Sequence, residues 1–300
     1  MRIDKLAVVG VGLIGGSCAL ALRRAGVVGR IVGIGRTAAN LDEAMRLGII
    51  DAAQRLDQDW TRELHDADVV LVAAPVAQYP ALFAAMAPAI GAHTLVTDAG
   101  STKQDVITSA RAAFGSALPR FVPGHPIAGT ERTGAGAAFA TLFEGRNVIL
   151  APLPVTAAHA LERIAGMWQA CGARVTTLDA ARHDAIFAAV SHLPHVLAFA
   201  LVAELAARPD AAVYFDHAAS GFRDFTRIAA GSPEMWRDIA LANRNALLAE
   251  IDRYGSALQD ARAIIAAGDG AALSALFESA STARRAWEAK RSRPVVEDKG

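Results

Sequence analysis

His125 is the side chain of this sequence best suited to moving a proton, because it stands in Gly124-His125-Pro126-Ile127-Ala128-Gly129-Thr130-Glu131 at the exit of an apolar run. An unperturbed imidazole titrates near ~6.5, so it can gain or lose a proton around neutrality. Pro126 fixes its own φ and drives His125 toward extended geometry, while Gly124 and Gly129 allow close approaches or backbone conformations that a side chain would forbid. A ring held in this way can face a ligand, or it can be a hydrogen-bonded structural histidine. A second candidate lies in Asp98-Ala99-Gly100-Ser101-Thr102-Lys103, after the apolar run from Thr94 to Thr97. Ser101 stands there either to hydrogen-bond a ligand or to cap a helix starting near Lys103.

An anion cradle precedes both. Gly10-Val11-Gly12-Leu13-Ile14-Gly15 follows the β-branched run Leu6 to Val9 and opens a helical stretch running to Ala25, the context that a dinucleotide fingerprint requires. Gly10 serves the tight turn, Gly12 lets a pyrophosphate approach, and Gly15 lets helix and strand pack. Leu13 and Ile14 belong to this cofactor-binding turn, before a helical stretch from Gly16 to Ala25 whose N-terminal amides and dipole favour phosphate. At the end of the next strand, Ile31 to Ile34, the acid expected for an adenosine ribose is replaced by Gly35-Arg36-Thr37. Arg36 with Thr37 favours the 2′-phosphate of NADP over NAD, unless the guanidinium is only a solvated charge.

Further strands are expected at Val69 to Ala73, Phe121 to Pro123 and Asn147 to Ala151, and a second helix at Leu41 to Leu47. After Thr177 the chain turns alanine-rich and helical, most clearly at Ser191 to Ala207, Met235 to Tyr254 and Leu273 to Lys290. The fold class is therefore an α/β Rossmann-type dinucleotide-binding domain over residues 1–178, followed by an all-α domain over 179–300. With 53% apolar and 20% charged residues among 300, the chain has the composition of a globular protein with room for two cores. Its 30 basic and 30 acidic residues balance, so no global field recruits nucleic acid or an anionic membrane. Cys18 and Cys171 have neither zinc-ligand nor disulfide-framework spacing, no metal is expected, and a reducing cytoplasm is the simplest home. The apolar N-terminus mimics an export signal, but its glycines follow the dinucleotide spacing and no convincing cleavage region comes after. The stretch Ala185 to Ala207 is interrupted by Ser191, His192, Pro194, His195 and Glu204, and reads as a buried helix, not a membrane span.

Taken in order, the glycine loop through Ser17, the Asp98 to Lys103 stretch, the His125 loop and Ser191-His192-Leu193-Pro194-His195 resemble the prephenate and arogenate dehydrogenases, the TyrA family. Gly221-Phe222-Arg223-Asp224-Phe225-Thr226-Arg227-Ile228-Ala229 and Met235-Trp236-Arg237-Asp238-Ile239 extend the resemblance through the helical half. The resemblance implies oxidative decarboxylation of a cyclohexadiene, with hydride leaving ring C4 for NAD(P), CO₂ leaving C1 and the ring becoming aromatic. It implies His125 as the base at the C4 hydroxyl, Ser101 orienting the same hydroxyl, and Arg227 binding a substrate carboxylate. It further implies His195 lining the pocket, Trp236 walling it, Asp224 orienting the Arg227 head group, and Thr130 and Glu131 near the substrate, while His192 is structural. The chain resembles the bare catalytic core, without an ACT or chorismate mutase domain, so tyrosine would inhibit at the substrate site. Family members pair through the helical domain, which implies a homodimer. The rival readings are a β-hydroxyacid or imine-type NAD(P)-dependent dehydrogenase and a non-catalytic NADP-binding redox sensor.

Overall fold

A computed structural model describes residues 2–130 and 132–291. Nine strands and twelve α-helices are formed among them. In chain order the first half runs β1 (Ile3–Val9), α1 (Leu13–Arg24), β2 (Val28–Gly35), α2 (Ala38–Arg46), β3 (Ala52–Arg55), β4 (Val69–Val72), α3 (Tyr79–Met86), β5 (Leu95–Asp98), α4 (Gln104–Phe114) and β6 (Phe121–Val122). These six strands form one parallel sheet in the order β3-β2-β1-β4-β5-β6. The order reverses between β1 and β4, and open α/β sheets bind ligands beyond the carboxyl ends of strands at such a switch point. Each central strand is buried on both faces: in β1, Leu6 and Val8 enter one apolar core while Ala7 and Val9 enter the other.

At Pro123 the chain leaves that sheet and starts a second, built from β7 (Gly124–Pro126), β8 (Asn147–Leu150) and β9 (Arg174–Thr177), with α5 (Ala158–Ala170) between the last two. β7 runs antiparallel to β8 and β8 parallel to β9. His125 thus sits on a strand, opposite Ile149, and not in the loop that its glycine and proline neighbours suggest. Gly124 is required by a close approach, since a Cβ there would stand 2.8 Å from the Asp98 carbonyl oxygen. Gly129 has open space around it. The two cysteines, 153 positions apart, are free thiols in the core with their sulfurs 4.0 Å from each other.

The helical part comprises α6 (Ala180–Phe187), α7 (Leu193–Ala206), α8 (Ala211–Asp216), α9 (Ser220–Thr226), α10 (Pro233–Ala242), α11 (Arg244–Ala267) and α12 (Gly270–Arg291). A π-helical turn, Ala188–His192, joins α6 to α7. Pro194 has no amide to return to the preceding turn, and the wider turn accommodates it. The whole stretch Ala180–Ala206 is long and apolar enough to cross a membrane by length and composition, yet 28% of its most apolar window is buried in this chain, less than the expected buried helix. Its polar residues His183 and Asp184 are buried in hydrogen bonds to the α/β elements and His192 in one to Asn243 after α10, as in a helix packed on protein. The expected helix Met235 to Tyr254 is broken at Asn243, which leaves helical geometry at φ −101°. By packing, the chain falls into two compact units, Met1–Leu247 and Leu248–Gly300. All of the candidate-site side chains described below belong to the first.

Candidate active site

The glycine loop has the geometry of a dinucleotide cradle. Gly10 takes φ +100°, and a Cβ there would lie 2.5 Å from the Ala73 carbonyl oxygen. A Cβ on Gly15 would meet the Gly10 carbonyl oxygen at 2.2 Å and Val8 at 2.8 Å, so helix and strand touch backbone to backbone. Around Gly12, by contrast, nothing lies within 4 Å of that position. This open space faces the start of α1, whose first turn carries no acidic residue and whose orphan amides can receive phosphate. Leu13 is buried and Ile14 packs against the core, fixing the first turn. Asn40 holds the loop by donating to the Val11 carbonyl at 2.7 Å while accepting from the Ala135 amide at 2.8 Å. Arg36 and Thr37 are exposed at the carboxyl end of β2, with no carboxylate in the Gly35-Arg36-Thr37 turn. The donors, the absence of acid and the missing Cβ together fit a dinucleotide pyrophosphate.

Asp98 ends β5 fully buried and organises the next two segments. It accepts the Gly100 amide at 2.8 Å, the Gly124 amide at 2.9 Å and the buried Lys103 ammonium. One carboxylate therefore ties the loop carrying Ser101 to the strand carrying His125. Burial pushes its carboxyl above the usual range, against the pull of Lys103 and the two amides. Ser101 is half-buried and does not cap α4. That role falls to Asp184, which accepts the Lys103 amide at 2.8 Å and the Gln104 amide at 2.9 Å from 80 residues further along the chain.

His125 is buried, 8% exposed, and its Nδ1 lies 2.8 Å from His183 Nε2. His183 Nδ1 in turn lies 2.8 Å from Asp184 Oδ1. Phe187 packs edge-on against His125 at 4.8 Å and tilted against His183 at 4.6 Å. Burial, then the His183, Lys103 and His192 charges, hold His125 well below the ordinary imidazole value, so the ring is neutral at physiological pH. His183 is lowered by burial although Asp184 opposes it, and His183 and the two amides keep Asp184 below the carboxylate range despite burial.

His192 accepts from Asn243 Nδ2 on its Nδ1 at 3.1 Å, and the same amide group donates to the Asp184 carbonyl at 2.8 Å. Its Nε2 is buried without a hydrogen-bond partner among the described residues, and burial brings its pKa to about 4. His195 stacks on Trp236 with ring centroids 3.4 Å apart and planes 20° from parallel. Its Nδ1 donates to the Ser191 carbonyl at 2.9 Å, and burial and then the Arg227 charge lower its pKa. His195, Trp236 and Arg227 are thus one neighbourhood, with Arg227 exposed at the end of α9. Among the described residues Asp224 forms no ion pair with Arg227; its carboxylate meets the neighbouring Arg223 at 3.5 Å. Thr130 is exposed and accepts the Arg132 amide at 3.3 Å, with no bond to the His125 side chain. Glu131 lies outside the described residues. Sequence reasoning misses His183, Asp184, Asn243 and the Asp98–Lys103 pair. An adjacent His-Asp pair at the start of an otherwise apolar helix was the available signal.

The chain matches the family described as prephenate dehydrogenase, nucleotide-binding domain, over residues 18–177, and prephenate dehydrogenase, dimerization domain, over residues 179–279. The chain belongs to the prephenate dehydrogenase family. Among its relatives, a cyclohexadienyl dehydrogenase of Zymomonas mobilis is 36% identical over 94% of this chain and 95% of its own length. A prephenate dehydrogenase of Bacillus subtilis is 34% identical over 94% of this chain and 75% of its own. The solved structure of A. aeolicus prephenate dehydrogenase in complex with hydroxyphenyl propionate and NAD+ superimposes with a TM-score of 0.88 at 33% identity, covering 95% of this chain and 98% of that one. Membership in the prephenate dehydrogenase family makes the α/β part a nucleotide-binding domain of Rossmann type and the helical part its dimerization domain.

Proposed function

We propose that this chain catalyses the oxidative decarboxylation of prephenate to 4-hydroxyphenylpyruvate with NAD(P), arogenate being the alternative substrate. The observation that carries the reading is a neutral, buried His125 on one side of Asp98 with the Ser101 loop on the other, beyond the carboxyl edge of a sheet that opens with a dinucleotide cradle. When bound, the nicotinamide supplies the acceptor for hydride from ring C4. His125 draws off the C4 hydroxyl proton as that carbon becomes carbonyl-like, and returns it to the oxygen once CO₂ has left C1 and the electron pair has entered the ring. Ser101 orients the same hydroxyl in a near-attack arrangement. Arg227 offers its fork to a carboxylate, and His195 stacked on Trp236 walls the pocket.

Arg36, exposed where an acid would bind the ribose, supports NADP as the preferred cofactor. Residues 1–178 act as the cofactor-binding part and 179–300 as the substrate-binding and pairing part of a homodimer. The exposed apolar residues Leu201, Ile265 and Phe277 within the dimerization-domain match support that pairing, which light scattering at micromolar concentration tests directly. Tyrosine competes with substrate and raises KM without lowering kcat. The decisive experiment follows absorbance at 340 nm with prephenate or arogenate and NAD or NADP in all four combinations. Absence of reduced cofactor in every combination overturns the reading. His125→Asn is expected to lower kcat with cofactor binding intact, and Arg227→Ala chiefly to raise substrate KM.

A further inference from the structure

We propose that Asp184 and His183 form a positioning relay that locks His125 in the tautomer with its proton on Nδ1 and its lone pair on Nε2, and that accepts the charge when Nε2 takes a proton. The functional half of this inference rests on the proton-transfer role given to His125 above; the tautomeric half does not.

The assignment follows from counting protons. Asp184 is 1% exposed and receives the Lys103 and Gln104 amides, two donors that an ionised carboxylate satisfies. An ionised Asp184 has no hydrogen to give, so at 2.8 Å the proton between Oδ1 and His183 belongs to His183 Nδ1. A neutral imidazole carries one N–H, which leaves His183 Nε2 as an acceptor. The 2.8 Å contact with His125 Nδ1 then requires that His125 be the donor there. Its Nε2 is left as the basic nitrogen. Among the described residues Nε2 makes no hydrogen bond, so the lone pair is available to a ligand. The order is that of a carboxylate, an orienting group and a base, with one more imidazole inserted.

The charges around the ring favour the same direction of transfer. Lys103 from the segment between β5 and α4, His183 from α6 and His192 from the π-helical turn act on His125, while Asp184, Lys103 and Asp98 at the end of β5 act on His183. Lys103 is matched by Asp98, whereas among the described residues Asp184 has no cationic side chain bonded to it other than whatever charge His183 acquires. When a substrate hydroxyl gives its proton to His125 Nε2, the Nδ1 proton can pass to His183 Nε2. The imidazolium then stands directly against Asp184. The reverse sequence returns the proton to the substrate oxygen, and no atom or electron is left over.

Asp184 also caps α4, so a purely structural role must be separable. Nitrogen-15 NMR of histidine-labelled enzyme, without substrate or cofactor, reads the tautomer directly. In the wild type His125 Nδ1 is expected to be pyrrole-like, Nε2 pyridine-like, and a coupling is expected across the His125–His183 hydrogen bond. A proton on His125 Nε2 overturns the proposal. In Asp184→Asn the new amide can donate to His183 Nδ1, reversing both rings. The expected fall in kcat is about 10²- to 10⁴-fold, a wrong-tautomer change in a Ser-His-Asp triad costing about 10⁴. KM and cofactor affinity should stay within about threefold. A variant with wild-type kcat also overturns it, and should that variant not fold, the wild-type spectrum alone decides. Failure of the wild type to reduce any cofactor instead overturns the proposed function and leaves the tautomer measurement standing.

Discussion

Two alanine substitutions in one glycine loop should fail in different ways. In Gly15→Ala the new Cβ falls 2.2 Å from the Gly10 carbonyl oxygen and 2.8 Å from Val8. That is more than about 1 Å inside ordinary van der Waals contact, and the obstructing atom is backbone, which cannot rotate away. Overpacking of this kind costs about 1–3 kcal/mol or more, and because the strained partner is Gly10, relief distorts the cradle as well. Gly12 is extended at φ −111°, ψ −157°, with no atom within 4 Å of a built Cβ. Alanine there reduces unfolded-chain freedom, a gain of about 0.4–1 kcal/mol, and loses a few tenths as a poorer N-cap, so stability should stay within about 0.5 kcal/mol. Its methyl nevertheless fills the space through which a pyrophosphate reaches the α1 amides. Urea unfolding and fluorescence titration with NADH and NADPH separate the outcomes: Gly12→Ala should unfold like wild type and bind at least about tenfold more weakly, about 1.4 kcal/mol. Gly15→Ala should lose both stability and binding. A Gly15→Ala protein as stable and as tightly binding as wild type, or a Gly12→Ala protein with unchanged affinity, would refute the cradle geometry.

Lys103→Met should cost about 3–5 kcal/mol in urea unfolding, since it strands the Asp98 carboxylate at 0% exposure with only two amides for support. Adding Asp98→Asn should recover part of that loss, and a single-variant loss below about 1 kcal/mol would contradict the pairing. Acidification should weaken the fold before the carboxylates titrate. His125, His183, His192 and His195 all have folded pKa values below the unfolded 6.5, so the unfolded chain binds more protons there and stability falls as pH drops. For His192, from 6.5 to about 4, the loss is about 3 kcal/mol, with only Asp98 and Asp105, raised by burial, acting in the opposite sense. A urea midpoint that stays flat between pH 7 and about 4.5 would show that these rings are not held neutral.

What was legible in the sequence and what was not divides along the range over which each residue's requirement is met. Gly15 is crowded chiefly by Gly10 and Val8 of its own strand-turn-helix, and Pro126 restrains His125 through the adjoining bond, so spacing exposes them, whereas the close approach at Gly10 is made by Ala73 from the end of β4. The short strands β3, Ala-Ala-Gln-Arg, and β9, Arg-Val-Thr-Thr, carry too little apolar pattern to announce themselves, and each is ordered at an edge by a neighbour it cannot specify. The relay is harder still to see. Asp184 finds its amides 80 and 81 positions away, His125 its partner 58 away, and Asn243 the Asp184 carbonyl 59 away. Read locally, each would be a polar interruption of an apolar helix or a helix-ending asparagine. Their chemistry exists only because the order of strands brings the end of β5, the first strand of the second sheet and the first turn of α6 to one place. The burial that creates the orphan Nε2 of His192 and keeps His125 neutral is likewise a property of that convergence. Sequence therefore reveals the candidate base and the glycine cradle, whereas the tautomer that would make that base competent depends on folding.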